Sequence, residues 1–389
     1  MTILSGARIF DGERFLDDHS VVVEGGRIAA IVPHSERPQG AVRDLGGGLL
    51  APGYIDVQVN GGGGVLFNED PTAAGIARIA AAHRKHGTVG LLPTLVTDTP
   101  QVMAAAIAAA REARHLTPAT LGIHLEGPFL DPHRKGAHEL RYIRDLEPGD
   151  LATIANANCG AVMLTLAPNR VRVESIVELA RHGVLVSLGH SDASYAEACA
   201  AVEAGAQAFT HLFNAMSAPA GREPGMVGAA LDLTEAFVGI IADGHHVHEA
   251  NLRIAFAAKR HDRFMLITDA MPPAAGGPDQ FDLQGRRVSR ADGCLRLEDG
   301  TLAGSVLTMD EAVRYAVNVV RLDLTDALAM ASRVPATFLR RDAELGRIAP
   351  GYLASLVHLD DRLRVLETWI EGRATADAPS ATSWQATPD

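Results

Sequence analysis

A chain of 389 residues is long enough for two or three domains, or for one large barrel with an appendage. Hydrophobic residues make up 47% and charged residues 21%, with 38 Gly and 20 Pro, which excludes disordered, collagenous and coiled-coil proteins. Lys and Arg number 35 against 47 Asp and Glu, a formal charge of -12, so binding to nucleic acid or to an anionic membrane is not expected and an anionic substrate needs a local basic site.

Residues 1–51 alternate short apolar stretches with Gly-rich turns, the pattern of strands and hairpins, and form the first part of a small β domain. From residue 54 the texture changes. Strand-like apolar runs at 54–60, 89–96, 121–127, 161–168, 184–190, 208–213, 237–244 and 264–270 alternate with helical stretches at 72–86, 101–115, 171–182, 194–204 and 249–260. Eight such strands, with helices between many of them, predict an α/β protein built on a (β/α)8 barrel of the TIM type over 52–340. Near 271–307 the rhythm breaks into a β-rich insertion. Strands return at 345–348 and 354–359, so 341–375 is expected to join the N-terminal strands, and 376–389 reads as a flexible Ala/Ser/Thr/Pro tail.

Cys159, Cys199 and Cys294 form neither a CxxC pair nor an even framework. There is no basic segment followed by an apolar one at the start, and no run of 18 apolar residues. Together these give a cytoplasmic expectation, with no membrane partner.

In a parallel barrel the chemistry gathers where strands end. The expected strands end in Gln58 and Asn60, Glu126, His190, His211, Asp243 with His245 and His246, and Asp269. Glu126, His190 and His211 offer one carboxylate oxygen and two imidazole nitrogens, a set suited to one divalent cation with a position left for water. Asp269, after the apolar run Leu266-Ile267-Thr268, is placed to move a proton to and from that water.

Several segments carry a resemblance: YIDVQVNGGGG at 54–64, LEGPF at 125–129, LGHS at 188–191, THLFNAM at 210–216, GREPG at 221–225, IADGHHV at 241–247, ITDA at 267–270, LAG at 302–304 and LTM at 307–309. In this order and over nearly the whole chain they resemble the N-acetylglucosamine-6-phosphate deacetylase family of the amidohydrolase superfamily. The resemblance implies a metal-dependent barrel with a small β-sandwich made from both chain ends, in a homodimer. It implies hydrolysis of the acetamide of N-acetyl-D-glucosamine 6-phosphate to D-glucosamine 6-phosphate and acetate, in amino-sugar catabolism or wall recycling. Alternatives are another N-acyl sugar phosphate such as N-acetylgalactosamine 6-phosphate, or a sugar-phosphate-binding protein without catalysis.

By the same resemblance Glu126, His190 and His211 are metal ligands, and Asp269 and His138 are catalytic, His138 polarising the substrate carbonyl. Ala137, His138, Asn214, Ala215, Arg222, His246, Leu302, Ala303 and Gly304 match substrate-binding positions, with Arg222 and His246 around the phosphate. Relatives across the superfamily often carry HxH at the end of strand one. Gln58 and Asn60 stand there as remnants of a second site, and neutral amides are poor ligands for a transition metal, so one ion is expected. Zn2+ is the first choice, with Fe2+, Co2+ or Mn2+ also suited to the donor set.

Overall fold

Eight parallel strands follow one another around a barrel in the computed structural model, which describes residues 1–375. They are β1 (Tyr54–Val59), β2 (Thr88–Val96), β3 (Gly122–Glu126), β4 (Ala161–Leu166), β5 (Leu185–Leu188), β6 (Ala208–Phe209), β7 (Phe237–Ile240) and β8 (Phe264–Leu266). Each pairs in parallel with the next. Asp269 N donates to Gln58 O at 3.0 Å and Asn60 N to Ala270 O at 2.9 Å, which brings the last strand back to the first. Every residue of β1 and β2 is buried, as a sheet covered by helices on one side and filled by side chains on the other requires.

The helices between strands begin where the sequence supplies caps. Thr72 accepts from Gly75 N, Thr99 accepts from Val102 N, and Ser194 and Glu197 form a capping box.

The strands end earlier than their apolar runs. The expected strand 208–213 pairs only at Ala208–Phe209, 184–190 stops at Leu188, and 264–270 stops at Leu266. Beyond them His190, His211, Phe213, Ala215 and Asp269 take φ of 47°, 31°, 78°, 50° and 51°. A side chain in this left-handed region is costly, and the backbone accepts it here because each segment turns inward over the barrel mouth.

Both chain ends contribute to a second unit. A four-stranded sheet joins Arg27–Pro33, His19–Glu24, Thr2–Ser5 and Ala41–Asp44, and a six-stranded sheet includes Arg8–Phe10 and Leu49–Pro52 beside Leu356–Leu359 and Val365–Ile370. Leu4, Val21, Ile28, Leu50, Leu356 and Trp369 share the core between them. The expected tail at 376–389 lies outside the described residues.

The stretch after β8 forms a three-stranded antiparallel sheet of Gln280–Leu283, Arg286–Ala291 and Cys294–Leu297. Leu283, Val288 and Leu295 pack on Leu66, Val96 and Met271 at the barrel mouth. Its first turn is pinned there: Gln284 Nε2 donates to Thr97 O at 2.8 Å and Arg286 Nη2 to Ala137 O at 2.6 Å. The insertion therefore walls one side of the mouth.

The barrel interior holds a carboxyl with no salt-bridge partner among the described residues. Asp56 accepts from Gln58 N, Thr268 N and the Thr268 hydroxyl, but burial outweighs these bonds and pushes its pKa up to about 7. Folded, it keeps its proton to about 7; unfolded, it loses it near 3.8, so stability falls as pH rises between these values and levels above them. An Asp56→Asn protein carries a neutral amide at every pH and is expected to lose that slope. Urea unfolding at about pH 5 and about pH 8 checks this: an unchanged drop between the two in the variant would remove Asp56 as its source.

Candidate active site

Glu126 ends β3, while His190 and His211 follow β5 and β6 on turning backbone. Their donor atoms converge. His190 Nε2 lies 3.2 Å and His211 Nε2 3.0 Å from Glu126 Oε1, and the two imidazole nitrogens are 3.0 Å apart. His190 Nδ1 is 2.9 Å from the carbonyl of Arg134, which can only accept, so that nitrogen carries the proton and Nε2 of the neutral ring presents a lone pair. Lone pairs this close to a carboxylate oxygen repel unless a cation or a shared proton lies among them. The three separations approach the edge of about 3.3 Å expected for a tetrahedron with metal–ligand bonds of about 2.0 Å. Donor chemistry and spacing therefore fit a divalent cation.

His138 stands beside this group. Its Nδ1 lies 2.8 Å from Thr97 Oγ1 and its Nε2 3.9 Å from Glu126 Oε2. Glu126, His138 and His190 offer ligand atoms within 4.8 Å of one another, so a metal-capable Glu/His/His group exists with four residues in reach of it. Burial, then the neighbouring His190, holds the His138 imidazole well below its usual pKa. Burial opposes charge on Glu126, but the surrounding imidazoles outweigh it and hold the carboxyl well below its usual range. Burial likewise opposes charge on His211, whose pKa is nonetheless raised by the Glu126 carboxylate.

Asp269 completes the centre. Its Oδ1 accepts from Gln58 Nε2 at 3.1 Å and Asn60 Nδ2 at 2.6 Å, and no described residue bonds to Oδ2. The same Gln58 Nε2 donates to Glu126 Oε1 at 2.9 Å, tying Asp269 to Glu126. Burial, with the Glu126 charge added, pushes Asp269 up to about 6. A carboxyl fixed through one oxygen, with the other open and a pKa near neutrality, can both take and return a proton.

These groups form the floor of a cavity of about 350 Å³, which Ala137, His138, Asn214, Ala215, His246, Leu302 and Gly304 also line. His246 is held by Asp243, whose Oδ2 lies 2.7 Å from its Nδ1. Ala303 is buried and does not line the cavity, and Gln58 and Asn60 lie beneath Asp269. Arg222 is not brought in: it sits on an exposed turn at 221–224. Sequence reading passed over Thr97, which orients His138, and over His133, Arg134, Leu283 and Thr301 in the wall. Signals existed for two of these, because His133-Arg134-Lys135 is a basic triplet in the loop directly after β3.

Residues 49–376 match the amidohydrolase family and residues 1–50 the NagA composite domain. The chain is 40% identical to N-acetylgalactosamine-6-phosphate deacetylase of a Shewanella species, covering 98% of both. It is 33% identical to N-acetylglucosamine-6-phosphate deacetylase of Haemophilus influenzae, covering 92% of this chain and 95% of that protein. The crystal structure of N-acetylglucosamine-6-phosphate deacetylase from Pasteurella multocida superposes with a TM-score of 0.93 at 36% identity, covering 96% of this chain and 99% of that one. With a parallel barrel, a Glu/His/His group at its mouth and likeness from end to end, the chain belongs to the amidohydrolase family, in its branch of N-acetylhexosamine-6-phosphate deacetylases.

Proposed function

We propose that this protein hydrolyses the acetamide of N-acetyl-D-glucosamine 6-phosphate to D-glucosamine 6-phosphate and acetate. One observation carries the reading: two imidazole nitrogens and a carboxylate oxygen converge beside an acid whose second oxygen is free. Glu126, His190 and His211 would hold one divalent cation, Zn2+ in preference to Fe2+, Co2+ or Mn2+, which when bound supplies an acidified water and a Lewis acid beside the acetamide. Asp269 takes the proton of the attacking water at Oδ2 and returns it to the nitrogen as the C–N bond breaks. Gln58 and Asn60 keep Asp269 turned to the reacting atoms. His138, steadied by Thr97, faces the acetamide carbonyl, and His246 with Asn214, Ala215, Leu302 and Gly304 surrounds the sugar phosphate.

The test is release of acetate and free amine from N-acetylglucosamine 6-phosphate by chelator-stripped protein, with and without one equivalent of Zn2+. Metal-restored release is expected; a folded protein that stays silent with every divalent metal would end the proposal. N-acetylgalactosamine 6-phosphate is the second reading, favoured by the 40% identity to the Shewanella enzyme, and belongs in the same assay. No described helix is long and apolar enough to cross a membrane, and three free cysteines suit a reducing, cytoplasmic setting.

Arg222 has no hydrogen bond or ion pair among the described residues and lies outside its own cavity, so we assign it to the phosphate in the cavity of a second copy within a homodimer. Mixing inactive Arg222→Ala and Asp269→Asn proteins under subunit exchange should then restore activity, because one site of each mixed dimer regains both groups. No recovery in verified mixed dimers would place Arg222 elsewhere.

A further inference from the structure

A phosphate monoester approaches two negative charges at pH 7, yet the cavity already contains the carboxyls of Glu126 and Asp269. A divalent cation on Glu126, His190 and His211 would offset those carboxyls and Arg222 would come from a second copy, so a cation of the same chain whose charge does not depend on pH would add to the hold on the phosphate. Among the described residues lining the cavity there is one Lys or Arg, and it is Arg134. We propose that Arg134 binds the substrate phosphate within its own chain's cavity and sets the preference for phosphorylated over free sugars. This rests on the sugar-phosphate reading above and adds the residue that reads the phosphate from the same subunit.

Two features of its surroundings support this role. Arg134 is half-buried, and its Nε and Nη2 lie 2.9 and 2.8 Å from a single oxygen, Asp192 Oδ1. A guanidinium has five N–H donors, so both hydrogens on Nη1 and one on Nη2 are left for a ligand. A planar fork held on one side by a carboxylate presents its other edge to an anion with little freedom to lose, which is how arginine reads phosphate.

The loop is also tied to the reacting centre. Asp131 Oδ1 accepts from His133 N at 3.0 Å, Oδ2 accepts from Asn169 Nδ2 at 2.6 Å and from Asp192 N at 3.3 Å, and Arg134 N donates to Asp131 O at 2.9 Å. The Arg134 carbonyl accepts from His190 Nδ1. One residue therefore orients His190 through its backbone and offers its charge through its side chain. The distance between the acetamide-cleaving groups and the phosphate-reading group is thereby set by the fold.

Substitution of the side chain leaves the carbonyl in place, so the two roles separate. In the zinc-loaded full-length protein, Arg134→Gln is expected to raise KM for N-acetylglucosamine 6-phosphate about ten- to a hundredfold, as loss of a charge-assisted contact does. Arg134→Lys should recover part of it, and KM for the unphosphorylated sugar should barely move. Calorimetry with glucosamine 6-phosphate and glucosamine supplies a measurement independent of turnover, and only the phosphorylated ligand should bind more weakly to Arg134→Gln. Equal losses for both sugars, or no loss for either, would overturn the proposal and leave Arg134 a backbone support for His190. Should the wild type release no acetate, the reaction assigned above fails, while the binding comparison still decides the role of Arg134. A wild type that does not prefer glucosamine 6-phosphate to glucosamine also overturns it.

Discussion

Replacing Asp269 by Asn is expected to leave binding of N-acetylglucosamine 6-phosphate nearly unchanged and to lower kcat by about 10²- to 10⁴-fold, the usual worth of a positioned acid–base group. The substitution is close to isosteric. The amide oxygen can still accept from Gln58 and Asn60, as Oδ1 does, while the amide nitrogen that replaces Oδ2 has no basic lone pair. Structure and charge pairing around the site thus persist as proton transfer is lost, and near-normal turnover would remove Asp269 from the reaction. The wild type should show the matching pH dependence. Its kcat/KM requires the carboxylate, so it falls tenfold per unit once pH drops below the Asp269 pKa. Burial and the Glu126 charge set that value at about 6 without a metal, and a bound cation, by favouring the charged form, moves the limb lower. Removing the Asn60 donor, as in Asn60→Leu, takes away a bond that favours the carboxylate and should move the limb up.

What could be read from the sequence follows from how a parallel barrel is coded. Its strands are buried on both faces and appear as apolar runs, so a polar residue closing such a run stands out, as Glu126, His190, His211 and Asp269 do. Where each strand stops was not legible. His190, His211 and Asp269 directly follow the apolar runs of their segments, yet adopt positive φ because the chain turns over the mouth, and the enrichment of His and Asp in that region is too weak a signal to mark where a strand stops. Loop residues were harder still. Thr97 touches His138 through one hydrogen bond and lies in a segment with no period, so nothing in the one-dimensional pattern sets it apart from surface polar residues, and the basic triplet around Arg134 does not reveal that the Arg134 carbonyl meets His190 Nδ1. The insertion was visible as β-rich, but that its Gln284 and Arg286 grip the residues flanking His138 depends on contacts about 190 and 150 positions away in sequence.

Glu126→Gln should abolish turnover and metal retention together. Glu126 is the anionic member of the proposed ligand group, and its Oε1 faces both His190 Nε2 and His211 Nε2. A neutral amide of the same shape can still accept from Gln58 Nε2, so the fold loses little, but a divalent cation loses a charged ligand and binds far more weakly. Without that charge, burial dominates His211 and its imidazole becomes neutral. Thermal unfolding separates these effects. A cation that binds only the folded wild type stabilises it by about 4 kcal/mol at a thousandfold excess over its Kd. The midpoint should therefore rise with added Zn2+ in the wild type and stay flat in Glu126→Gln, with similar midpoints for the two metal-free proteins. Elemental analysis of the dialysed wild type should give one ion per chain, since Gln58 and Asn60 spend their amide groups on Glu126 and Asp269 in place of a second cation. Two ions per chain would refute the single-metal reading, and a zinc-dependent midpoint in Glu126→Gln would place the ion on other residues.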